Sequence, residues 1–221
     1  MKMSISPEDL ATYIERQLSL FFPDGGDVGL VRAALPKTLE RLDYCFQRIS
    51  AKYFRLDGQA TFNHLHGDQY AMLLYILSNE VYRRHGGLPV CDKIFSLNKL
   101  LHGLDVFYAV ELLAIFFFSH PVGTVLGRAK YGDFLLVYQN CTVGSNHNVD
   151  YPEIGKNVAL YKGAAVLGCS RIGDNCKIAA DTTVMDADIP SGSICFRSKD
   201  TYSCKPYQRP AHVWDPNYLT F

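Results

Sequence analysis

The chain has 221 residues, 48% of them hydrophobic, and its 22 basic and 22 acidic side chains cancel to a formal net charge of zero. That length supports one large or two small domains with a real core, and the charge balance excludes a global field that would draw the protein to nucleic acid or an anionic membrane. The most apolar run, residues 104–118, is 15 long and holds Asp105 and Glu111, short of the ~20 residues a bilayer span needs.

The seven cysteines form no CxxC pair and no zinc-type spacing. Their odd count and the absence of a secretion signal lead to an expectation of free thiols in a reducing cytoplasm. Cys141 and Cys176 are expected inside, as small hydrophobes.

The first hundred residues read as helices. Ser6-Pro7-Glu8-Asp9 is a helix start, with a capping hydroxyl, proline at the first helical position and acids near the positive dipole end. Leu10, Tyr13, Ile14 and Leu18 then share a face, and Pro23-Asp24-Gly25-Gly26 stops the run. A second helix is expected over 36–51, carrying Leu39, Leu42, Phe46 and Ile49. A third over 68–84 uses Leu73, Leu74, Leu77 and Val81 and ends at His85-Gly86-Gly87, and a short fourth covers 89–101. We therefore assign 1–103 to an all-helical region, suited to cover the open end of a coil built from the C-terminal half.

Between residues 125 and 189 the pattern changes to one aliphatic residue every sixth position: Ile154, Leu160, Val166, Ile172, Ile178, Val184, preceded by Val125, Tyr131, Val137, Val143. Six helical steps of about 100° put successive hits 240° apart, so no helix face results. A single strand of that length with so much glycine lies far outside the usual range. Short straight sides, each with one inward residue and each ending in a turn, do fit: a parallel β-helix. The interval from Val143 to Ile154 is eleven, not twelve, and it holds the polar stretch GSNHNVDYPE, so a loop is extruded there, where a solenoid has room for function. The hexads end near residue 190. Residues 191–221, with Pro206, Pro210, Pro216, Tyr202, Tyr207, Trp214 and Tyr218, read as an irregular tail packed on the coil, since disordered segments are poor in aromatics. The fold class is α+β, with domains 1–103, 104–190 and 191–221.

The hexads, together with HPVGTVLGRAKYGDFLLVYQNCTVG and YPEIGKNVALYKGAAVLG, resemble the hexapeptide-repeat acyltransferases, and within them the serine O-acetyltransferase branch. That resemblance implies a left-handed triangular β-helix, acetyl-CoA as co-substrate, a homotrimer and, through the helical region, a dimer of trimers. It also implies that His120, in FSHPVG, is the catalytic base and that Asp105, fifteen residues earlier, is its paired carboxylate. Imidazole suits removal of a hydroxyl proton near neutral pH, and a carboxylate behind it fixes the tautomer. The bland alternative is a turn histidine and a capping aspartate.

The acceptor positions depart from the branch. Ser119 stands where the family has Asp, and Asp150-Tyr151 where it has Arg-His before Pro152. An anion in place of a cation repels a carboxylate, so Ser119, Asp150, Tyr151 and His147 lead to the expectation of a neutral hydroxylated acceptor, a saccharide of surface polysaccharide biosynthesis. For the donor, the resemblance carries Gly144, Gly163 and Ala180 onto small cleft positions, and Lys162 and Lys177 onto CoA phosphates. The family's AGVPA close is replaced by CFRSKDTY, where Arg197 and Lys199 are available for the 3′-phosphate. The alternatives are serine O-acetylation in cysteine biosynthesis and a non-catalytic hexapeptide scaffold. A metal-dependent carbonic anhydrase is disfavoured, because three histidine ligands are needed and the coil offers only His120 and His147. No metal, nucleic acid or membrane span is expected.

Overall fold

The structure is a computed structural model that describes residues 1–26, 28–199, 201–207 and 213–214. The chain divides into two compact units, Met1–Ala109 and Val110–Phe221. No helix among the described residues is long and apolar enough to cross a membrane.

The first unit contains β1 (Lys2–Met3), α1 (Pro7–Phe21), α2 (Leu30–Phe46), β2 (Arg55–Leu56), β3 (Gln59–Phe62), α3 (Gly67–His85), α4 (Pro89–His102) and β4 (Asp105–Val106). Ser6 caps α1 through its side chain, accepting from the Asp9 N–H, as its position before Pro7 predicts. Helix α3 is the centre of the unit, buried without a break from Gln69 to Val81. Its polar groups are engaged: Gln69 accepts from Asn63 N–H at 2.6 Å, and Asn79 donates to the Tyr108 carbonyl at 2.9 Å. Glu80 receives Arg41 at 3.0 Å and Arg84 at 2.7 Å. Burial pushes the Glu80 carboxyl up, but these guanidinium hydrogen bonds outweigh it and hold the group below its usual range.

Two expectations for this unit need correction. Helix α2 begins at Leu30, not Pro36, and ends at Phe46. Proline inside the helix forfeits the bond to the Arg32 carbonyl, yet Val31, Ala34 and Leu35 gain burial by extending the apolar face ahead of it. The region is also not purely helical: β1, β3 and β2 form a small sheet in that order, with β1 and β3 parallel. Strands of two to four residues carry too little periodicity to be seen in sequence.

The second unit is a left-handed parallel β-helix. Its first turn is β5 (Phe116–Phe118), β6 (Val125–Leu126) and β7 (Lys130–Tyr131), and its second is β8 (Leu135–Val137), β9 (Thr142–Gly144) and β10 (Glu153–Ile154). The third is β11 (Ala159–Leu160), β12 (Ala165–Leu167) and β13 (Arg171–Ile172), and the fourth is β14 (Lys177–Ile178), β15 (Thr183–Met185) and β16 (Asp188–Ile189). Strand β17 (Ser193–Ser198) opens a fifth turn and then folds back as β18 (Thr201–Pro206). Three parallel sheets result: β5-β8-β11-β14-β17 with β18 added antiparallel, β6-β9-β12-β15, and β7-β10-β13-β16.

The inward columns follow from register. Phe118, Val137, Leu160, Ile178 and Cys195 align on one side, and Leu126, Val143, Val166 and Val184 on the next. Tyr131, Ile154, Ile172 and Ile189 line the third. All six residues of the Ile154-to-Val184 series are buried. The earlier series is off by one at its start: Val125 is 40% exposed, and its neighbour Leu126 points inward. The step from Leu126 to Tyr131 is five residues, so the coil runs short there and the period misassigns the first side. Each inward aliphatic stabilises the coil by about 1.5–3 kcal/mol through removal from water.

The tail is more regular than expected. Pairing of β17 with β18 sets Cys195 opposite Cys204, and the two form a disulfide, contrary to the expectation of seven free thiols. A nine-residue separation alone says nothing of this pairing; the hairpin register does. Beyond it, Trp214 is buried edge-to-face against Phe134 at 5.4 Å. Pro210, Pro216 and Tyr218 lie outside the described residues. The small ring closed by the disulfide contributes about 2.5 kcal/mol on chain-entropy grounds. Reduction under native conditions is therefore expected to lower the unfolding free energy by that order in denaturant titration, and a Cys204→Ser protein should match the reduced wild type.

Candidate active site

The corner at which the β5-β8-β11-β14-β17 side turns toward β6-β9-β12-β15 collects the residues of interest. Ser119 is buried, and its N–H donates to the Val137 carbonyl at 2.9 Å. His120 follows, exposed, with φ at +52°. Histidine is among the few side chains that occupy this region with some frequency, though a non-glycine residue there carries backbone strain. The turn is held in place: the His120 carbonyl accepts from Val122 N–H at 2.8 Å, Asn140 N–H donates to the Val122 carbonyl at 3.0 Å, and Thr124 Oγ1 donates to the Tyr138 carbonyl at 2.7 Å. The imidazole thus leaves the coil from a backbone tied to the next turn.

Strand register extends this corner along the coil. Two residues beyond the inward Phe118, Val137, Leu160, Ile178 and Cys195 stand His120, Gln139, Lys162, Ala180 and Arg197. At about 4.8 Å per turn, His120 and Lys162 are two turns, roughly 10 Å, apart along the axis. Lys162 is ion-paired with Asp181 at 2.9 Å.

The extruded loop is where the sequence places it. Successive turns below it repeat at 18 residues, Leu160 to Ile178 and Ile154 to Ile172, whereas Val143 to Val166 takes 23. The extra residues are folded about Asn146. Its Oδ1 accepts from the N–H of Asn148 and Asp150, and its Nδ2 donates to Asp150 at 3.2 Å and to Asp186 at 2.9 Å. Asp186 Oδ1 also accepts from the Cys169 N–H at 3.0 Å. That amide bond, joined by Asn146, holds the Asp186 carboxyl below the usual carboxylate range. The Tyr151 ring lies 5.1 Å from the Arg128 guanidinium.

The remaining candidates separate by what surrounds them. Gly144 has open space where a Cβ would stand, so the coil does not require glycine there. At Gly163, φ is +71° and a Cβ would collide with the Asp181 carboxylate, so this glycine is explained by the turn itself. Lys177 is buried: its Nζ donates to the Tyr207 hydroxyl at 3.1 Å and lies 4.3 Å from that ring. It is held against the tail. Asp105 lies in the first unit, where its carboxylate pairs with Lys99 at 2.6 Å. Asp150 and His147 are exposed in the loop. Sequence reasoning missed Asn146, Asp186 and Arg128. Asn146 belongs to a run of turn formers that signals a loop, but Asp186 reaches it only because Leu167 and Met185 pair, which stacks Gly168 on Asp186. No group of three or more metal-ligating side chains occurs among the described residues.

A carboxyl with a depressed folded-state value stabilises its contacts above the unfolded pKa, and that contribution is lost as pH falls through the folded value. Acidification below pH ~4 is accordingly expected to loosen residues 145–152, read as faster amide exchange at Cys169 and Asp150. Asp186→Gly, which tolerates the φ of +50°, should do the same at neutral pH; unchanged exchange would show that Asn146 holds the loop alone.

Residues 151–185 match the family described as bacterial transferase hexapeptide (six repeats). The serine acetyltransferase of Synechococcus elongatus is 32% identical over 141 residues, covering 58% of this chain and 57% of the relative. That of Helicobacter pylori is 28% identical over 134 residues, covering 59% and 77%. The match thus spans little more than half the length of the Synechococcus relative. Among solved structures, the serine acetyltransferase of Brucella abortus in complex with coenzyme A superposes with a TM-score of 0.69 at 18% identity, over 94% of this chain and 85% of that one. The Neisseria gonorrhoeae serine acetyltransferase in complex with serine gives 0.65 at 21%, over 91% and 84%. At these identities the likeness is one of fold. The second unit of this chain is a hexapeptide-repeat left-handed β-helix, and the chain is similar to serine acetyltransferases in sequence over more than half of its length and in fold along most of it.

Proposed function

We propose that the protein is an acetyl-CoA-dependent O-acetyltransferase of the serine acetyltransferase type, transferring acetyl to the hydroxyl of L-serine or a close analogue. The observation that carries this reading is the sequence match to serine acetyltransferases over more than half of this chain. In the proposed step, the His120 imidazole takes the acceptor hydroxyl proton as the oxygen attacks the thioester carbonyl. Collapse of the tetrahedral intermediate breaks the C–S bond, and the imidazolium returns the proton to the departing thiolate. Asp105 is proposed to hold the ring and stabilise its charged form. Gly144, Lys162 and Ala180 are proposed to flank the donor, in a cleft completed by a second protomer of a homotrimer.

A saccharide acceptor, expected from Ser119, Asp150 and Tyr151, gains no support from the relatives, which are serine acetyltransferases. The structure also supplies a different role for Asp150, because Asn146 binds both its carboxylate and its N–H within the loop. Its charge is spent partly on closing that loop, which weakens the argument that it selects against a carboxylate.

Steady-state assays with acetyl-CoA should show saturation by L-serine and none by neutral sugars; turnover of sugars without serine overturns the acceptor assignment. His120→Asn, which accommodates the left-handed backbone, is expected to lower kcat by about 10²–10⁴ with unchanged thermal stability. Asp105→Asn should reduce kcat with little change in KM. If Asp105 serves only Lys99, that variant keeps the full rate.

A further inference from the structure

The mouth of the extruded loop frames one basic side chain. Gly127 N–H donates at 2.7 Å to the carbonyl of Val143, just before the loop, and Lys130 N–H donates at 3.0 Å to that of Pro152, just after it. Arg128 lies between these two ties. The inward Tyr131 holds the same corner, its hydroxyl donating to the Gly127 carbonyl at 2.8 Å. The acids and the lysine nearby are committed: Lys130 pairs with Glu153 at 2.7 Å, the Asp150 carboxylate accepts from Asn146 at 3.2 Å, and Asp186 accepts from Asn146 and from the Cys169 N–H. Arg128 is exposed and has no ion pair among the described residues. What it meets is the Tyr151 ring, 5.1 Å away. A guanidinium set against an aromatic face keeps its fork of N–H donors free for a planar anion.

We infer that Arg128 binds the carboxylate of the acceptor and so selects an amino acid over a neutral alcohol. The inference rests on the proposed transfer to L-serine, whose carboxylate needs a cation that position 150, an aspartate, does not supply. Arg128 and His120 stand at the two ends of the side that carries β6, on the order of 15–20 Å apart at ~3.3 Å per residue of strand. Serine places its hydroxyl and its carboxylate only two carbons apart. The imidazole that takes the hydroxyl proton therefore comes from a neighbouring protomer, and each acceptor site needs two copies of the chain.

Steady-state kinetics on the full chain compare L-serine with L-serinamide, which keeps the hydroxyl and the amine and lacks the carboxylate. The wild type is expected to favour L-serine by at least about tenfold in kcat/KM. Arg128→Ala should abolish that preference, raising KM for L-serine by about tenfold or more with kcat within about twofold and KM for acetyl-CoA unchanged. Arg128→Lys should recover part of it. Equal losses on both acceptors mark a purely structural role at the loop and overturn the inference, as does a preference that survives the substitution; serine acetylation itself then still stands. Co-expressed His120→Asn and Arg128→Ala chains should exceed the rate of either variant alone at low L-serine, because mixed neighbours recreate a complete site, and no gain overturns the shared site. Absence of serine turnover by the wild type removes the proposed reaction and this inference together.

Discussion

Parallel pairing of each turn with the next, over a shared column of inward aliphatics, is the constraint from which the second unit follows. One turn alone buries almost nothing; stacked, Leu160 closes on Ile178 and Val166 on Val184, and the backbone groups of every side find partners above and below. The same constraint dictates the corners. Gly123, Asn140, Gly163 and Asp181 all take positive φ at equivalent positions, because each side must turn within two or three residues without breaking the ladder.

Function has room only where this packing is satisfied by other residues. Inward positions are committed to the core, and corner glycines are committed to the turn, as at Gly155, where a Cβ would strike the backbone of Gly173 and Asp174. Outward corner residues, of which the exposed His120 is one, and the loop that leaves the coil among the described residues are free of that packing. That loop is not slack: Asn146 organises it and Asp186, forty residues on, anchors it. The hairpin at the far end plays a comparable part, using antiparallel pairing and a disulfide to hold residues that no inward column fixes.

How far these features are legible depends on whether the information is local. A period of six is local, and six consecutive hits locate the coil and the loop that interrupts it. Ser6 is legible through capping chemistry, and the proposed role of His120 rests on its motif. The short side after Leu126 escapes a fixed-period reading, as do two-residue strands and a helix that tolerates Pro36 because the residues before it are apolar. Lys177 reads as a surface cation because lysine usually is one; only the placement of Tyr207 over it shows otherwise.

By itself, then, the sequence determined that the C-terminal half winds as a hexapeptide coil, that a helical region precedes it, and where the coil opens into a loop, since each rests on spacing along the chain and on burial of regularly placed apolar groups. Tertiary structure alone decided which residues meet across turns: Asp186 with Asn146, Cys195 with Cys204, Lys177 beneath Tyr207, and Arg197 in line with His120. Those meetings depend on register, which accumulates every five-residue side and every inserted loop residue, and a shift of one position would send each side chain to the opposite face.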